Sequence, residues 1–300
     1  MSDGCIKELP PIEVIDQIPS TNAEMKARGR AGAPHGSALR ARLQTAGRGQ
    51  RAHTWASPEG GLYLSVLIRP HVPQDALPAL PVACALGVLG ALREAGCPRT
   101  RLKWPNDIVV GHRKMAGILT ELSTSRDGAY AVSGVGLNME APTVPAREHG
   151  VQALAPVGLL DALSVTAHVP TLDELAELIR TKMLEAVDWW MDAYGQSGAY
   201  LGLPKPGTRV YGPDTAHWID DPVRGGAEGP LAPLLAPYNA SLAFVGEQVR
   251  VFDLDGDERS QGTFLGVDGY GHALIAHQDG TVGTYDAASA SIRPVRMLAR

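Results

Sequence analysis

Apolar and polar positions alternate over residues 12–18 (IEVIDQI) with the period of a half-buried strand. Ser20, Thr21 and Asn22 follow and offer N-cap chemistry for a short helix over residues 23–28, which Gly29 is expected to stop. Residues 36–44 alternate again, and residues 61–69 (GLYLSVLIR) read as another strand. The longest apolar run, residues 76–92, contains Pro78, Pro81, Gly87 and Gly90 and is closed by Arg93 and Glu94. A membrane helix needs about 20 apolar residues, so this run predicts a buried core helix entered by prolines and ending near Ala95. Strands are predicted at 100–104, 108–110, 114–122 and 130–138, with a Pro-Asn-Asp turn after the first and a Gly111-His112 hairpin turn after the second.

Residues 140–170 are irregular. A helix is predicted from Leu172 to about Tyr194, with Thr171 as its cap and Glu174 completing a capping box. Residues 200–235 are rich in proline and glycine (GLPKPG, DDPVRGGAEGPLAP) and read as a long loop or insertion. From Gly246 five short strands follow, separated by Asp255-Gly256, Asp268-Gly269 and Asp279-Gly280 turns. The fold class is therefore α+β. A mixed β-sheet flanked by helices spans residues 1–199, an insertion and linker spans 200–245, and a small all-β barrel spans 246–300.

Composition narrows the function. The 300 residues are 44% hydrophobic and 20% charged, which excludes wholesale disorder. The net charge of −5 argues against a protein that coats phosphate backbones. Three cysteines, Cys5, Cys84 and Cys97, are too few and too irregular for a disulfide framework or a zinc site, and fit a reducing cytoplasm. No basic segment followed by an apolar one opens the chain, so no secretory signal is expected.

Positive charge is gathered despite the acidic balance. Windows 40–58 and 99–114 hold nine of the 27 basic residues: Arg40, Arg42, Arg48, Arg51, Arg99, Arg101, Lys103, Arg113 and Lys114. An even spread would put about three there, so a small anion is the expected guest. The segment from Gln44 to Arg51 (QTAGRGQR) joins two glycines, which let backbone approach a ligand, to arginines that fork onto carboxylate or phosphate. It is neither a P-loop nor a dinucleotide fingerprint. Lys103-Trp104-Pro105-Asn106-Asp107 sets a cation, an aromatic, a turn and a carboxylate together. Gly117 within a strand and the Gly134/Gly136 pair permit close approach.

In this order the segments resemble the biotin protein ligase (biotin–[acetyl-CoA-carboxylase] ligase) family. The resembling stretches are STN (20–22), QTAGRGQR (44–51), W.SP.G.LYLS (55–65), KWPND (103–107), RKMAGILTEL (113–122) and GVGLNM (134–139). The resemblance implies the biotin/lipoate ligase catalytic fold and a two-step reaction. Biotin and Mg-ATP give biotinyl-5′-AMP, and biotin then passes to a lysine of a biotin carboxyl carrier protein. ATP and Mg2+ are implied as co-substrates, with no tightly bound prosthetic group and no metal ligand on the chain.

Roles follow by motif. Ser20, Thr21, Asn22 and Gln44 would bind the biotin head group. Gly47, Arg48, Gly49, Gln50 and Arg51 would cradle the biotin carboxylate and α-phosphate. Lys114 would bridge the two anions, Lys103 would meet phosphate charge, and Asp107 would orient the incoming amine or magnesium. Trp55 would pack near adenine, Asn138 would contact the nucleoside, and Gly117 and Gly134 would give the ring system room. Gln50 and His53 stand where the family usually has arginine, which implies looser retention of the adenylate. About 19 residues precede Ser20, too few for the helix-turn-helix domain of some members. The expectation is a cytoplasmic ligase with no DNA or membrane partner, a homodimer being left open. Alternatives are a lipoate-type ligase and a non-catalytic protein that binds biotin or biotinyl-AMP; a Ser/His hydrolase lacks its GxSxG elbow.

Overall fold

A computed structural model describes residues 9–50, 54–126, 128–142, 147–148, 151–152, 154–195 and 229–295. In chain order the first elements are β1 (Glu13–Ile18), α1 (Thr21–Arg30), β2 (Ala38–Gln44) and β3 (Leu62–Ile68). A 3-10 segment, Gln74–Ala79, runs into α2 (Leu80–Glu94). Next come β4 (Thr100–Lys103), β5 (Asp107–Val110), β6 (Arg113–Ser125) and β7 (Gly128–Leu137). The short β8 (Arg147–Glu148), β9 (Val151–Gln152) and β10 (Ala155–Pro156) precede α3 (Leu172–Gly195) and α4 (Ala232–Ser241). The last strands are β11 (Gln248–Phe252), β12 (Glu258–Val267), β13 (Ala273–Ala276), β14 (Val282–Tyr285) and β15 (Ser291–Pro294).

The first sheet is mixed and eight-stranded, in the order β1-β2-β3-β7-β6-β5-β4, with β10 also on β6. The β1/β2 and β10/β6 pairs are parallel, and the other pairs are antiparallel. One face carries Leu62, Leu64, Val66, Ile68, Ile118 and Val135, which are buried in one core with α2 and α3. That face is dry because every second residue of these strands is apolar. The two helices lie almost backbone to backbone at Gly87, where a Cβ would stand 2.5 Å from the Lys182 carbonyl oxygen and the Met183 Cα. The other face carries Leu67, Tyr130 and Val132, which form a smaller cluster with Leu39 and Met25 of α1. Beyond α1 this face carries Ser65, Gly117, Gly134 and Gly136. Small residues cannot fill the space above them, so a hollow remains there.

Helix α1 runs through Gly29 to Arg30 rather than stopping at the glycine. A side chain at Gly29 would strike the Tyr130 ring and Leu67, so this glycine serves close packing on the sheet. The Thr171/Glu174 capping box forms as the spacing predicts, with Thr171 N donating to the Glu174 carboxylate at 2.8 Å and Glu174 N donating to Thr171 Oγ1 at 3.2 Å.

Most of the Pro/Gly-rich segment lies outside the described residues. Its end is not loop: Ala232–Ser241 is α4, with Leu234, Leu235 and Tyr238 buried. Proline in the first turn is compatible with a helix start, and burial of three large side chains overrides Pro237 inside it. The C-terminal strands form a second, all-antiparallel sheet in the order β14-β13-β12-β11-β15. It is fastened to the first unit: Trp104 Nε1 donates to the Gly271 carbonyl at 2.9 Å, Leu102 bridges to Leu242, and both sheets share one apolar core. The apolar segment Gln74–Glu94 is long enough to cross a membrane by length and composition, but most of it is buried under the sheet as a core helix.

Candidate functional site

The hollow above the second sheet face is lined by four groups of residues. Ser20, Thr21 and Asn22 come from the start of α1, and Gln44 ends β2. Arg48, Gly49, Gln50, Thr54 and Trp55 come from the loop that follows. Lys103, Asn106, Asp107, Lys114, Gly117, Gly134 and Gly136 come from β4 to β7 and the turn after β4. Asp253, Leu254, Gly256, Ser291 and Arg293 come from the second sheet. The α1/β2 residues and the second-sheet residues stand at opposite ends, because β2 and β4 lie at opposite sides of the first sheet.

At the α1 end the polar side chains are almost fully buried: Ser20 4%, Thr21 4% and Asn22 5% exposed. Ser20 caps α1, accepting from Ala23 N at 3.4 Å. Gln44 Oε1 accepts from Thr21 N at 2.9 Å and from Thr21 Oγ1 at 3.1 Å. Gln44 Nε2 donates to Ser57 Oγ at 2.9 Å. The end is thus a ring of oriented donors and acceptors rather than a greasy slot.

In the middle lies a charge triad. Asp107 Oδ2 is 3.0 Å from Lys103 Nζ, and its Oδ1 is 2.8 Å from Lys114 Nζ. Burial alone would raise the Asp107 carboxyl. The two ammonium groups, Lys114 foremost, outweigh it and hold the carboxyl at about 2. Two cations against one carboxylate leave one net positive charge facing the hollow. The turn before Asp107 is braced by Asn106 Nδ2, which donates to the Ile118 carbonyl at 2.7 Å, and the Trp104-Pro105 peptide is cis.

Trp55 lies across the hollow floor. Its ring is 3.0 Å from where a Gly117 Cβ would stand, and a Gly136 Cβ would strike its Nε1. Lys114 Nζ sits 5.2 Å from the ring centre, within cation–π range. The indole Nε1 is buried and has no hydrogen-bond partner among the described residues.

Several expectations need correction. Gly117 and Gly134 do line the hollow, but Trp55 packs close over the first and the Asn22 amide over the second. Gly47 does not line the hollow: a Cβ there would meet the Trp55 carbonyl and Ser57 Oγ, so its close approach is to its own loop. Asn138 does not line it either; its backbone pairs with Met115 and Leu159. Arg51 and His53 lie outside the described residues.

Charge clustering along the chain also overstated the convergence. Arg40 turns to the other face and pairs with Asp173 at 2.5 Å, while Arg42 pairs with Asp16. Arg101 and Arg113 donate to the backbone carbonyls of Ala240 and Pro156. Of those among the described residues, Arg48, Lys103 and Lys114 are brought together. Arg293 and the Asp253–Gly256 turn carry no sequence signal, since only docking of the second sheet puts them there.

Residues 14–138 match the family described as biotin/lipoate A/B protein ligase. These residues belong to that family. The chain is 36% identical over 126 residues to the bifunctional ligase/repressor BirA of Bacillus subtilis, a match covering 41% of this chain and 39% of that protein. It is 39% identical over 165 residues to a biotin–[acetyl-CoA-carboxylase] ligase of Paracoccus denitrificans, covering 53% of this chain and 66% of that one. The chain thus matches about two fifths of the length of the first relative and about two thirds of the second. In three dimensions the chain resembles the biotin protein ligase from Aquifex aeolicus in complex with biotin and ATP. The TM-score is 0.66 with 23% identity, over 95% of this chain and 100% of that one. At that identity the likeness establishes the fold, including the second sheet beside the first.

Proposed function

We propose that the protein is a biotin protein ligase that activates biotin with ATP and passes it to a carrier lysine. The observation that carries this reading is convergence. A polar, oriented end (Ser20, Thr21, Gln44) and a net-cationic centre (Arg48, Lys103, Lys114) share one hollow. A ligand with a hydrogen-bonding head and an anionic tail fits that order. The relatives' names and the resemblance of the sequence motifs to the family support biotin as that ligand.

In the first step a biotin carboxylate oxygen attacks the α-phosphorus of ATP. A carbon–oxygen–phosphorus link forms, the bond from the α-phosphorus to the bridging oxygen breaks, and pyrophosphate leaves. The two reactants are both anions, so the protein's task is to hold them together and to meet the charge on the phosphoryl oxygens. Lys114 and Arg48 would do this, together with Lys103, which shares the Asp107 carboxylate with Lys114. Asp107 keeps the two lysines aimed at one point, at the cost of cancelling one charge. In the second step a carrier lysine amine attacks the acyl carbon, AMP leaves and the amine gives up a proton. Asp107 is held as a carboxylate by both lysines, and its part in this reading is to orient.

Magnesium enters this reading with ATP, as Mg-ATP. The described residues do not make a resident site. Among the described residues no group of three or more metal-ligating side chains forms. Asp107 is already held by two lysines, and Asp253 accepts from Asp255 N, Asp257 N and Arg259. The carrier's binding face and a cytoplasmic location belong to the same proposal. Cys84 and Cys97 are buried free thiols, and burial pushes Cys84 up to about 12.

The deciding experiment incubates the protein with Mg-ATP, a biotin carboxyl carrier domain and either biotin or lipoate, and weighs the carrier. Addition of one biotinyl group, dependent on ATP, is the expected result. Lipoyl addition instead, or an unchanged carrier mass with bound biotin, would overturn the reading.

A further inference from the structure

Glu121 does not line the hollow, yet it touches the side chain that orders the polar end. Its Oε2 accepts from Asn22 Nδ2 at 3.0 Å, and its Oε1 accepts from Lys26 Nζ at 2.8 Å. Asn22 Nδ2 also donates to the Leu119 carbonyl at 3.2 Å. A carboxylate and a carbonyl can only accept, so the Asn22 amide nitrogen must face them. Its oxygen must then face Ser65, whose Oγ stands 2.6 Å away and is wholly buried. Ser65 has one proton, and this contact takes it. Ser65 Oγ therefore offers only lone pairs to Thr21 Oγ1, 2.8 Å distant. The Thr21 proton goes to Ser65 or to Gln44 Oε1, and in both cases it stays inside the protein. What Thr21 turns to the hollow is a lone pair.

We propose that Glu121 is a positioning residue for the ligand's head group: through Asn22 and Ser65 it makes Thr21 a hydrogen-bond acceptor, so that this end takes an N–H. The inference rests on the biotin ligase reading, in which the head group is a cyclic urea. A head group with no N–H, such as a dithiolane, would leave the Thr21 lone pair unmatched in a buried site, which is the kind of mismatch that polar pockets reject most strongly. Lys26 balances the carboxylate from the outer side, where the pair is about a quarter exposed. Without Glu121 only the longer bond to the Leu119 carbonyl, 3.2 Å, still holds the Asn22 nitrogen on that side; the amide turns over more readily, Ser65 can then donate to Thr21, and the acceptor is no longer assured.

The test uses full-length protein and pyrophosphate exchange, with biotin and ATP varied separately. Glu121→Ala is expected to raise KM for biotin about tenfold while KM for ATP and kcat stay within about twofold. Glu121→Gln, which keeps an acceptor oxygen for Asn22, is expected to restore KM for biotin to within about threefold. Ser65→Ala is expected to match Glu121→Ala, and the double variant to be no worse than either alone. Unchanged biotin KM in Glu121→Ala overturns the proposal, as do equal rises for biotin and ATP, additive single effects, or failure of Glu121→Gln to rescue. If Glu121→Ala does not fold, Ser65→Ala and Glu121→Gln decide. Absence of biotin-dependent exchange in the unaltered protein would overturn the ligase reading itself and this inference with it.

Discussion

Asp107 Oδ1 lies 2.8 Å from Lys114 Nζ. The residue that would draw two anions together is itself steadied by an anion, one turn of chain away from Lys103 on the other carboxylate oxygen. The pairing also makes stability depend on acid. The Asp107 carboxyl stands at about 2 in the folded chain, against 3.8 as its ordinary value. A lowered value means that the stabilisation is complete above about pH 4 and is lost as pH falls toward 2. It amounts to about 2 kcal/mol. Unfolding free energies of the unaltered protein and Asp107→Asn, compared from pH 5 to pH 2, are expected to converge by that amount. A constant difference across the window would contradict the pairing.

Gln50 lines the hollow beside Arg48 and Gly49. Arginine there would add a charge-assisted bond to the phosphate of the adenylate. Gln50→Arg is expected to slow release of biotinyl-AMP about tenfold, roughly 1.4 kcal/mol. Stopped-flow release after single-turnover formation measures it; matched rates would dismiss the idea.

Gly136 has no side chain because Trp55 occupies its place. Gly136→Ala is expected to lift the indole from the floor, red-shift its emission and cost about 1–3 kcal/mol of stability. The emission change should vanish in a Trp55→Phe background. Persistence there would assign it to another of the five tryptophans.

Gly87 is a purely architectural case. A Cβ would meet the α3 backbone at Lys182 and Met183 at 2.5 Å, and backbone cannot move aside as a side chain can. Gly87→Val is expected to lower the thermal midpoint by several degrees, with KM for biotin unchanged in the surviving folded protein. Denaturation and exchange kinetics on one preparation check both halves.

The reading from sequence found the strands of both sheets except β10, which pairs with β6 from within the stretch 140–170 expected to be irregular, and it found the core helix and the capping box of α3. These are local matters, set by residue period and by side chains three or four positions apart. It also named Ser20, Thr21, Gln44, Arg48, Lys103, Asp107 and Lys114, which line one hollow, because chemistry-bearing residues stood in short motifs whose order resembles a family. It misjudged Arg40, whose partner Asp173 is 133 positions away, and it missed α4, whose prolines outweighed its leucines on paper.

What the chain determined by itself was the inventory: alternating strands, buried helices, and cations beside glycines. Only the tertiary structure decided which cations meet, that Trp55 and Asn22 fill the space left by Gly117, Gly136 and Gly134, and that the second sheet lends Asp253, Leu254 and Arg293 to the wall. The reason is range. Hydrogen-bonded strands and caps need neighbours along the chain, whereas a hollow exists only where distant surfaces fail to fill the space between them.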